Sequence, residues 1–169
     1  YVDLLVDASA ALVALHSNGV VHRDVAARNF LITEAQHLAI CDFGLSLTLA
    51  PNQAYGIAPP DRLPINITAP EALMHFVFSK ATDVFSFGML MWELWTYTAP
   101  FDEYESIAAG NCILSNVRPS LPSGTPPMPE PLQTLMCQAW AHDCHARPDM
   151  NTVNSVLSQY RKSLTSDSS

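Results

Sequence analysis

The sequence predicts a mainly helical domain of the α+β type, in which short β-hairpins carry polar loops. Apolar residues recur through four stretches that are long enough to form helices. Apolar pairs and triplets flank the polar loops and have the length of short strands. With 49% hydrophobic and 14% charged residues among 169, the chain can form one sizeable core. The predicted helices span residues 2–16, 79–95, 131–141 and 149–161.

The first two helices have recognisable boundary signals. Residues 2–16 are apolar on nearly every face, which is typical of a buried helix. Gly19 follows Asn18 just beyond them and favours a helix end, because glycine readily adopts the left-handed conformation. Either Ser79 or Thr82 could cap the second helix.

Three segments are predicted to lie outside the helical core. Residues 46–68 are rich in Pro, Ala, Asn and Gly without a sustained period, and a loop of this length suggests a functional role. Residues 119–131 contain six prolines and are predicted to form a surface connector, the alternative being a polyproline ligand for another domain. Residues 162–169 are expected to form a disordered tail.

Composition excludes several function classes. The formal net charge of −8 argues against nucleic acid as a partner. The longest apolar run, residues 85–95, is interrupted by Glu93, so we expect a core helix and no membrane span. The four cysteines form no CxxC pair, which favours a reducing, intracellular setting. A metal site at His142, Cys144 and His145 is not predicted, because the spacing is compressed and no fourth ligand is indicated.

Polar residues of one chemical class lie close together between residues 22 and 44. Asp24 and Asn29 belong to a first loop and Asp42 to a second, and strand-like segments precede and separate the loops. Such an arrangement would hold two carboxylates and an amide on one rigid support. Oxygen ligands suit Mg²⁺, and phosphoryl transfer depends on positioning and charge neutralisation. The strand-like segments are Val20-Val21, Phe30–Ile32 and Leu38–Ile40.

In their order and spacing, these motifs resemble those of the eukaryotic protein kinases. The resemblance covers residues 1–161, which would form the C-terminal lobe of a kinase domain. The smaller N-terminal lobe is missing from the chain: no GxGxxG occurs, and neither Lys80 nor Lys162 lies in an early strand. Chance occurrence in an unrelated domain is the alternative, and the ordered spacing weighs against it. The matching motifs are His22-Arg23-Asp24, Asp42-Phe43-Gly44 and Ala69-Pro70-Glu71.

The resemblance implies a role for each matching polar residue. Asp24 would be the catalytic base, with Arg28 beside it, while Asn29 and Asp42 would hold Mg²⁺ against the phosphates of ATP. Leu31 would lie beneath the adenine ring. The alternative is that Asp24 and Asn29 are turn residues that bind their own backbone.

Other matching positions would have structural roles. Asp83 resembles the aspartate that anchors the backbone of the catalytic loop, and Glu71 would pair with Arg147. His22 and Phe43 would belong to an apolar column between the lobes, and Gly44 completes the magnesium-loop motif. These roles would also hold in an inactive relative.

The residues that follow Asp24 indicate the acceptor. Ala26 stands where serine/threonine kinases usually have a lysine, and Arg28 precedes the metal-binding asparagine, as in the tyrosine kinase group. Pro64-Ile65 also resembles the surface on which a phenolic side chain rests. Asn66 and Ile67 depart from the basic residue and tryptophan common there, so a serine/threonine kinase of a tyrosine-kinase-like type remains an alternative.

Tyr55 lies where tyrosine kinases carry an activating phosphorylation site. Arg23 and Arg62 would bind its phosphate, while Leu47 replaces a third basic residue often found in the family. An exposed loop tyrosine without a regulatory role is the alternative.

The function implied by the resemblance is transfer of the ATP γ-phosphate to a protein tyrosine. We expect residues 1–169 alone to be inactive, because the N-terminal lobe is also a necessary partner. The setting would be the cytoplasm, or the intracellular part of a membrane receptor. A pseudokinase-like interaction module is the alternative from another class, and a fragment without its own function is a third.

Overall fold

The computed structural model describes residues 1–59 and 62–166. Helices dominate this part of the chain, and every strand is two or three residues long, so the predicted fold class is confirmed. Short 3₁₀ turns occur at Ala27–Asn29, Ile65–Ile67 and Cys144–Ala146. In chain order the elements are α1 (Val2–Ser17), β1 (Val20–Val21), β2 (Phe30–Ile32), β3 (Leu38–Ile40), β4 (Leu47–Thr48), β5 (Tyr55–Ile57), α2 (Pro70–His75), β6 (Val77–Ser79), α3 (Lys80–Thr96), α4 (Ser106–Leu114), α5 (Glu130–Ala139) and α6 (Met150–Ser166).

Helix α3 is the centre of the core. All of its residues from Thr82 to Trp92 are buried, so this helix is surrounded by other elements along most of its length. Ser79 is the N-cap residue immediately before it, and the Ser79 N–H donates to Thr82 Oγ1 at 3.2 Å, as in a capping box. Tyr97 ends the helix in the left-handed conformation, with φ at 56°. A helix of this kind can hold other segments in fixed positions.

Helices α1 and α6 pack against each other. Asn154 Nδ2 of α6 donates to the Val6 carbonyl at 3.2 Å and to Ser9 Oγ at 2.8 Å in α1. Leu5 and Leu12 of α1 are fully buried, as predicted for residues 2–16. The first and last helices are therefore joined by both apolar packing and side-chain hydrogen bonds.

Three antiparallel pairs of strands lie on this helical base. Strand β1 pairs with β4, β2 with β3, and β5 with β6. The segments predicted as β1, β2 and β3 are confirmed. Strands β4 and β5 lie in residues 46–68, for which no regular structure was predicted. Their partners come from outside that segment, so a local pattern could not reveal them.

The C-terminal helix is longer than predicted. Helix α6 continues to Ser166, whereas the disordered tail was expected from residue 162. Hydroxyl groups bind carbonyls in its last turns: Ser163 Oγ donates to Tyr160 O at 2.7 Å and Ser166 Oγ to Ser163 O at 2.8 Å. These local bonds partly satisfy the carbonyls of the helix end. The remainder of the predicted tail, residues 167–169, lies outside the described residues.

Two helices were not foreseen at all. Helices α2 and α4 are six and nine residues long, too short for a clear apolar period.

Within residues 1–59 and 62–166, no helix has both the length and the apolar character needed to cross a membrane. All four cysteines are free thiols.

Candidate active site

The loop that contains Asp24 is anchored to α3 by Asp83, which lies in the first turn of that helix. The His22 N–H donates to Asp83 Oδ2 at 2.8 Å and the Arg23 N–H to Asp83 Oδ1 at 2.9 Å. His16 Nε2 lies 2.9 Å from the same Oδ2. Asp83 is fully buried, so both of its oxygens are committed to the backbone of this loop and to α1. The anchoring position predicted for Asp83 therefore has a direct geometric counterpart.

Asp24 is held from two directions by residues of its own loop. The Asn29 side-chain amide donates to the Asp24 carbonyl at 2.7 Å, and Arg28 Nη2 donates to Asp24 Oδ1. The 3₁₀ turn Ala27–Asn29 makes both contacts possible, because it brings these side chains back over Asp24. The Asp24 side chain is 11% exposed and that of Arg28 52% exposed, so the pair lies at the surface edge of the core. One guanidinium thus partly neutralises the buried carboxylate.

Asp42 lies in a more open setting. Its backbone is left-handed, with φ at 59°, and its Oδ1 accepts the Gly44 N–H at 3.2 Å. A Cβ at Gly44 would come within 3.2 Å of the same oxygen, so glycine leaves room for the Asp42 carboxylate. Asp42 is exposed.

A chain of contacts joins the two loops. The Cys41 N–H donates to the Asn29 carbonyl at 2.8 Å, which continues the β2–β3 pairing and brings Asp42 beside the Asp24 loop. His22 Nε2 lies 3.0 Å from the Cys41 carbonyl. The His22 and Phe43 rings meet edge to face with centroids 5.2 Å apart, and their membership of an apolar column between lobes remains a prediction.

The predicted metal ligands offer suitable oxygen atoms. Because Asn29 Nδ2 is occupied by Asp24, the oxygen of the Asn29 amide is directed elsewhere. Within the described part of the chain, no hydrogen bond occupies Asn29 Oδ1 or Asp42 Oδ2. An amide oxygen and a carboxylate are hard ligands, so this donor set fits Mg²⁺. Two protein ligands are typical when phosphates and water complete the shell.

Apolar side chains beside these loops are exposed. Leu31 on β2 is 59% exposed, Ile32 is 64% and Phe43 is 46%. Leu31 pairs with Ala39 across the hairpin, so it has a fixed backbone position despite its exposure. A group of exposed apolar residues is typical of a surface that binds a ligand or another protein segment.

Glu71 and Arg147 form the predicted ion pair. Arg147 Nη1 lies 2.6 Å from Glu71 Oε1, and Nη2 lies 2.9 Å from Oε2. The guanidinium is fully buried and uses all five N–H groups, since the other three reach the carbonyls of Ala141, Ala81 and His142. The pair therefore fixes α2 against the start of α3 and the loop before α6.

A second guanidinium lies near this pair. Arg118 and Arg147 both lie over the Phe85 ring, at 4.9 Å and 5.1 Å from its centroid. Burial, and next the positive charge of Arg147, lower the pKa of Arg118 to about 10. The carbonyls of Trp140 and Val117 accept hydrogen bonds from Arg118 at 2.9 Å.

The structure does not bring Tyr55 and Arg23 together. Tyr55 is 51% exposed on β5, while the Arg23 guanidinium lies 4.1 Å from the Phe78 ring centroid and donates to the Ala58 carbonyl. Gly56 faces Phe78 across the β5–β6 pair, on the buried side. Neighbouring residues of a strand point to opposite faces, so Tyr55 lies on the other side of the sheet from Arg23. Burial lowers the pKa of Arg23, an effect that Asp83 opposes. Arg62 is exposed.

The segment with unusual residues before α2 is well packed. The Asn66 amide donates to the Pro100 carbonyl at 3.1 Å, and Ile67 is 1% exposed. Ser86 Oγ donates to the Ile67 carbonyl at 2.7 Å. The departures at Asn66 and Ile67 are thus accommodated by contacts with α3 and the chain before α4.

The loop before Arg147 agrees with the interpretation of a local turn. Asp143, Cys144 and His145 have potential ligand atoms within 4.8 Å of one another, but Asp143 and His145 are exposed. Asp143 Oδ1 accepts the His145 N–H at 2.9 Å, a local hydrogen bond at the start of the 3₁₀ turn Cys144–Ala146.

Sequence reasoning missed two anchoring residues in α1. His16 binds Asp83, and Asp7 Oδ2 accepts the Leu38 N–H at 3.1 Å and lies 3.1 Å from His37 Nδ1. Asp7 thereby holds the β2–β3 hairpin against α1. An acidic residue within an apolar helix was the available signal, but its partner thirty positions away was not visible.

Comparison with known proteins provides an independent line of observation. Residues 1–157 match the family model described as protein tyrosine and serine/threonine kinase. The transforming protein Fps of Fujinami sarcoma virus, a tyrosine-protein kinase, is 34% identical over 162 residues, covering 95% of this chain and 18% of Fps. The serine/threonine-protein kinase STY46 of Arabidopsis thaliana is 29% identical over 160 residues, covering 94% of this chain and 27% of STY46.

One relative has a name that denotes lost activity. The inactive tyrosine-protein kinase kin-32 of Caenorhabditis elegans is 33% identical over 159 residues, covering 91% of this chain and 18% of kin-32. The chain therefore spans less than a third of the length of these three relatives.

Proposed function

Because the chain belongs to the protein tyrosine and serine/threonine kinase family, we propose that it is the large lobe of an active kinase that phosphorylates protein tyrosine. The observation that carries this proposal is the arrangement of Asp24, Asn29 and Asp42. The carboxylate of Asp24 is held in place, and Asn29 Oδ1 and Asp42 Oδ2 accept no hydrogen bond from the described residues, while Asp42 Oδ1 accepts only the Gly44 N–H. The substrates of the proposed kinase would be ATP and a protein.

Asp24 and Arg28 would act on the acceptor hydroxyl. Asp24 would orient this hydroxyl and accept its proton as the phosphoryl group is transferred. Arg28 limits the movement of the Asp24 carboxylate, because its guanidinium binds one carboxylate oxygen. The other oxygen is then available to the substrate.

Asn29 and Asp42 would bind the cation. Mg²⁺, when bound, would neutralise charge on the phosphates of ATP and hold them in place. Asn29 is suited to this role because its amide nitrogen is fixed by Asp24. Asp42 lies on the exposed loop, where it could adjust as nucleotide binds.

The preference for tyrosine is supported by the residues around Asp24. Ala26 is 1% exposed and has no charge to offer a transferred phosphate, whereas Arg28 is available beside Asp24. The 34% identity to Fps agrees with this assignment. Serine and threonine are the second candidates, because STY46 is 29% identical and Asn66 and Ile67 depart from the tyrosine-kinase pattern.

Activity would require a second, smaller lobe. Leu31, Ile32 and Phe43 are exposed beside the candidate metal ligands, and such a lobe would cover them and close the nucleotide site. We therefore propose that residues 1–169 alone are inactive. A kinase of this type would act in the cytoplasm, as a soluble protein or as the intracellular part of a receptor.

A non-catalytic role is the competing proposal, and the similarity to kin-32 favours it. Such a protein would use the helical lobe as an interaction surface. The intact trio of Asp24, Asn29 and Asp42 favours the enzyme, since a binding module has no physical need for all three.

The test is to supply the missing lobe. A chimera that joins the N-terminal lobe of Fps to residues 1–169 should transfer phosphate from ATP to a tyrosine peptide, whereas residues 1–169 alone should not. Asp24→Asn should lower kcat by a factor on the order of 10² or more. Asp102→Asn, a change in an exposed loop, serves as the matched control and should have no effect. A folded chimera without activity would contradict the proposed function.

Phosphorylation of Tyr55 is proposed as a regulatory step. A phosphate adds about two negative charges, which exposed Arg62 could bind directly. Binding to Arg23 would require the β5–β6 pair to open, because Arg23 lies on the opposite side of it. Tyr55→Phe in the chimera should abolish the rise in activity on autophosphorylation, and an unchanged rise would remove Tyr55 from the proposal.

A further inference from the structure

A second carboxylate of α3 reaches the loop that contains Asp24. Glu93 is half-buried near the C-terminal end of α3, and its Oε2 accepts the Ala27 N–H at 3.0 Å. Asp83 and Glu93 are the two acidic residues of this helix. They are separated by ten positions, or about 15 Å of helix. Asp83 therefore holds the beginning of the loop, and Glu93 holds its end.

Glu93 acts as a cap supplied from another element. The first N–H groups of a helical turn have no partner within the turn, and a capping side chain usually accepts one of them. The residue before the turn Ala27–Asn29 is Ala26, whose methyl group cannot accept a hydrogen bond. The Glu93 carboxylate accepts the hydrogen bond from the Ala27 N–H instead. The negative charge also suits the N-terminal end of a turn.

The capped turn carries the two side chains that hold Asp24. Arg28 donates to the Asp24 carboxylate and Asn29 to the Asp24 carbonyl, and both belong to the turn that begins at Ala27. A change in the position of Ala27 would therefore move both side chains together. It would also move the Asn29 oxygen that the proposed function assigns to Mg²⁺.

We propose that Glu93 is a positioning residue for phosphoryl transfer, which acts through Ala27 to set Arg28 and Asn29 against Asp24. This inference rests on the proposed function and adds to it a residue that touches no substrate. A charged side chain that is partly buried costs free energy unless it is paired. The hydrogen bond to Ala27 is the compensating interaction that the structure shows.

Amide hydrogen exchange on residues 1–169 tests the contact without any activity. In Glu93→Ala, exchange at the Ala27 amide should rise about tenfold or more, because a bond to a charged acceptor is lost. Glu93→Gln keeps an acceptor oxygen and should raise the exchange rate of the Ala27 amide only a fewfold. Glu105→Ala, a change at an exposed glutamate before α4, is the matched control and should leave it unchanged. An unchanged Ala27 rate in Glu93→Ala, or an equal rise at all core amides, would overturn the proposal.

Kinetics of the Fps chimera test the consequence for the reaction. Glu93→Ala should lower kcat on the order of tenfold while the KM for the peptide changes less than threefold, since a small misplacement affects the transition state most. Glu93→Gln should recover most of kcat. A loss confined to KM, or no rescue by Gln, would refute the positioning role. If the unaltered chimera is folded but inactive, the proposed function fails, and the exchange experiment alone decides whether Glu93 holds the turn.

Discussion

The loops that carry Asp24 and Asp42 are neighbours, yet they are held in different ways. The Asp24 loop is fixed by two acceptors from α3, Asp83, which is fully buried, and Glu93, which is half-buried. Asp42 is exposed, and among residues 1–59 and 62–166 its carboxylate has a hydrogen bond only with Gly44 of its own loop. The large lobe thus preorganises the side that would handle the acceptor hydroxyl. The side that would handle the nucleotide is held more loosely, because Asp42 is exposed.

The largest effect on the free energy of unfolding is expected when the buried Glu71–Arg147 ion pair is broken. Arg147→Ala removes a buried guanidinium and leaves Glu71 without its partner, which should lower the free energy of unfolding by about 3–5 kcal/mol. Chemical denaturation measures this change. Arg161→Ala is the matched control: its ion pair with Asp3 is exposed and 3.6 Å long, so the expected loss is within about 0.5 kcal/mol. Similar losses in the two variants would contradict the description of a rigid base.

An intermediate effect is expected at Gly56, on the buried side of the β5–β6 pair. A Cβ at Gly56 would lie 2.5 Å from Leu47 Cδ2, so Gly56→Ala should force the Leu47 side chain to shift. We expect a loss of about 1–2 kcal/mol and faster amide exchange confined to β5 and β6. Adding Leu47→Ala should relieve the clash, and the double-mutant cycle should show a favourable coupling. Additive losses would mean that the contact is not the cause.

A smaller, pH-dependent effect is expected at Asp149, which precedes α6. Its oxygen accepts the Thr152 N–H at 2.8 Å, and this backbone bond is the main cause of the lowered pKa of Asp149. A lowered pKa in the folded state means that the stabilisation is present above the unfolded pKa and is lost as the pH falls through the folded value. Asp149→Ala should therefore cost about 1 kcal/mol at pH 7, and this cost should shrink as the pH falls through the folded pKa of Asp149.

Asp149→Asn separates the cap from its charge. Asparagine accepts the same N–H without titrating, so its stability relative to Asp149→Ala should not depend on pH between 2 and about 7. Thermal unfolding across this range measures both variants. A pH-independent loss in Asp149→Ala would show that the carboxylate charge has no part in the cap.

The smallest effect on stability is expected at Asp42. Asparagine is tolerated at a φ of 59°, and the side chain is exposed, so Asp42→Asn should change the free energy of unfolding by less than about 0.5 kcal/mol. In the Fps chimera the same variant should weaken Mg²⁺-dependent nucleotide binding at least about tenfold. A large loss of stability would show that the Asp42 loop is as strongly held as the Asp24 loop.

Much of the helical base could be predicted, because α1, α3, α5 and α6 have long apolar patterns. Positions matched to the family motifs, such as Asp83 and Arg147, also occupy the structural places that the resemblance implied. The predicted roles of Asp24, Asn29 and Asp42 in chemistry remain predictions.

What could not be predicted depends on distant partners. Strand β5 forms because Val77–Ser79 lie beside it, some twenty residues away in the chain. His16 binds the Asp83 side chain 67 positions away, and Glu93 binds the Ala27 backbone N–H 66 positions away. No local sequence pattern contains that information. The separation of Tyr55 from Arg23 likewise follows from the register of a strand pair.

The packing of α6 on α1 has a consequence for biosynthesis. Asn154 and its acceptor Val6 are 148 positions apart, so α1 cannot reach its final contacts until nearly the whole lobe has been made. At about 5–20 residues per second, a ribosome needs roughly 7–30 s for that interval. During this time the apolar surface of α1 is without its partner and is open to chaperones. Folding of this lobe should therefore finish only after α6 has left the ribosome.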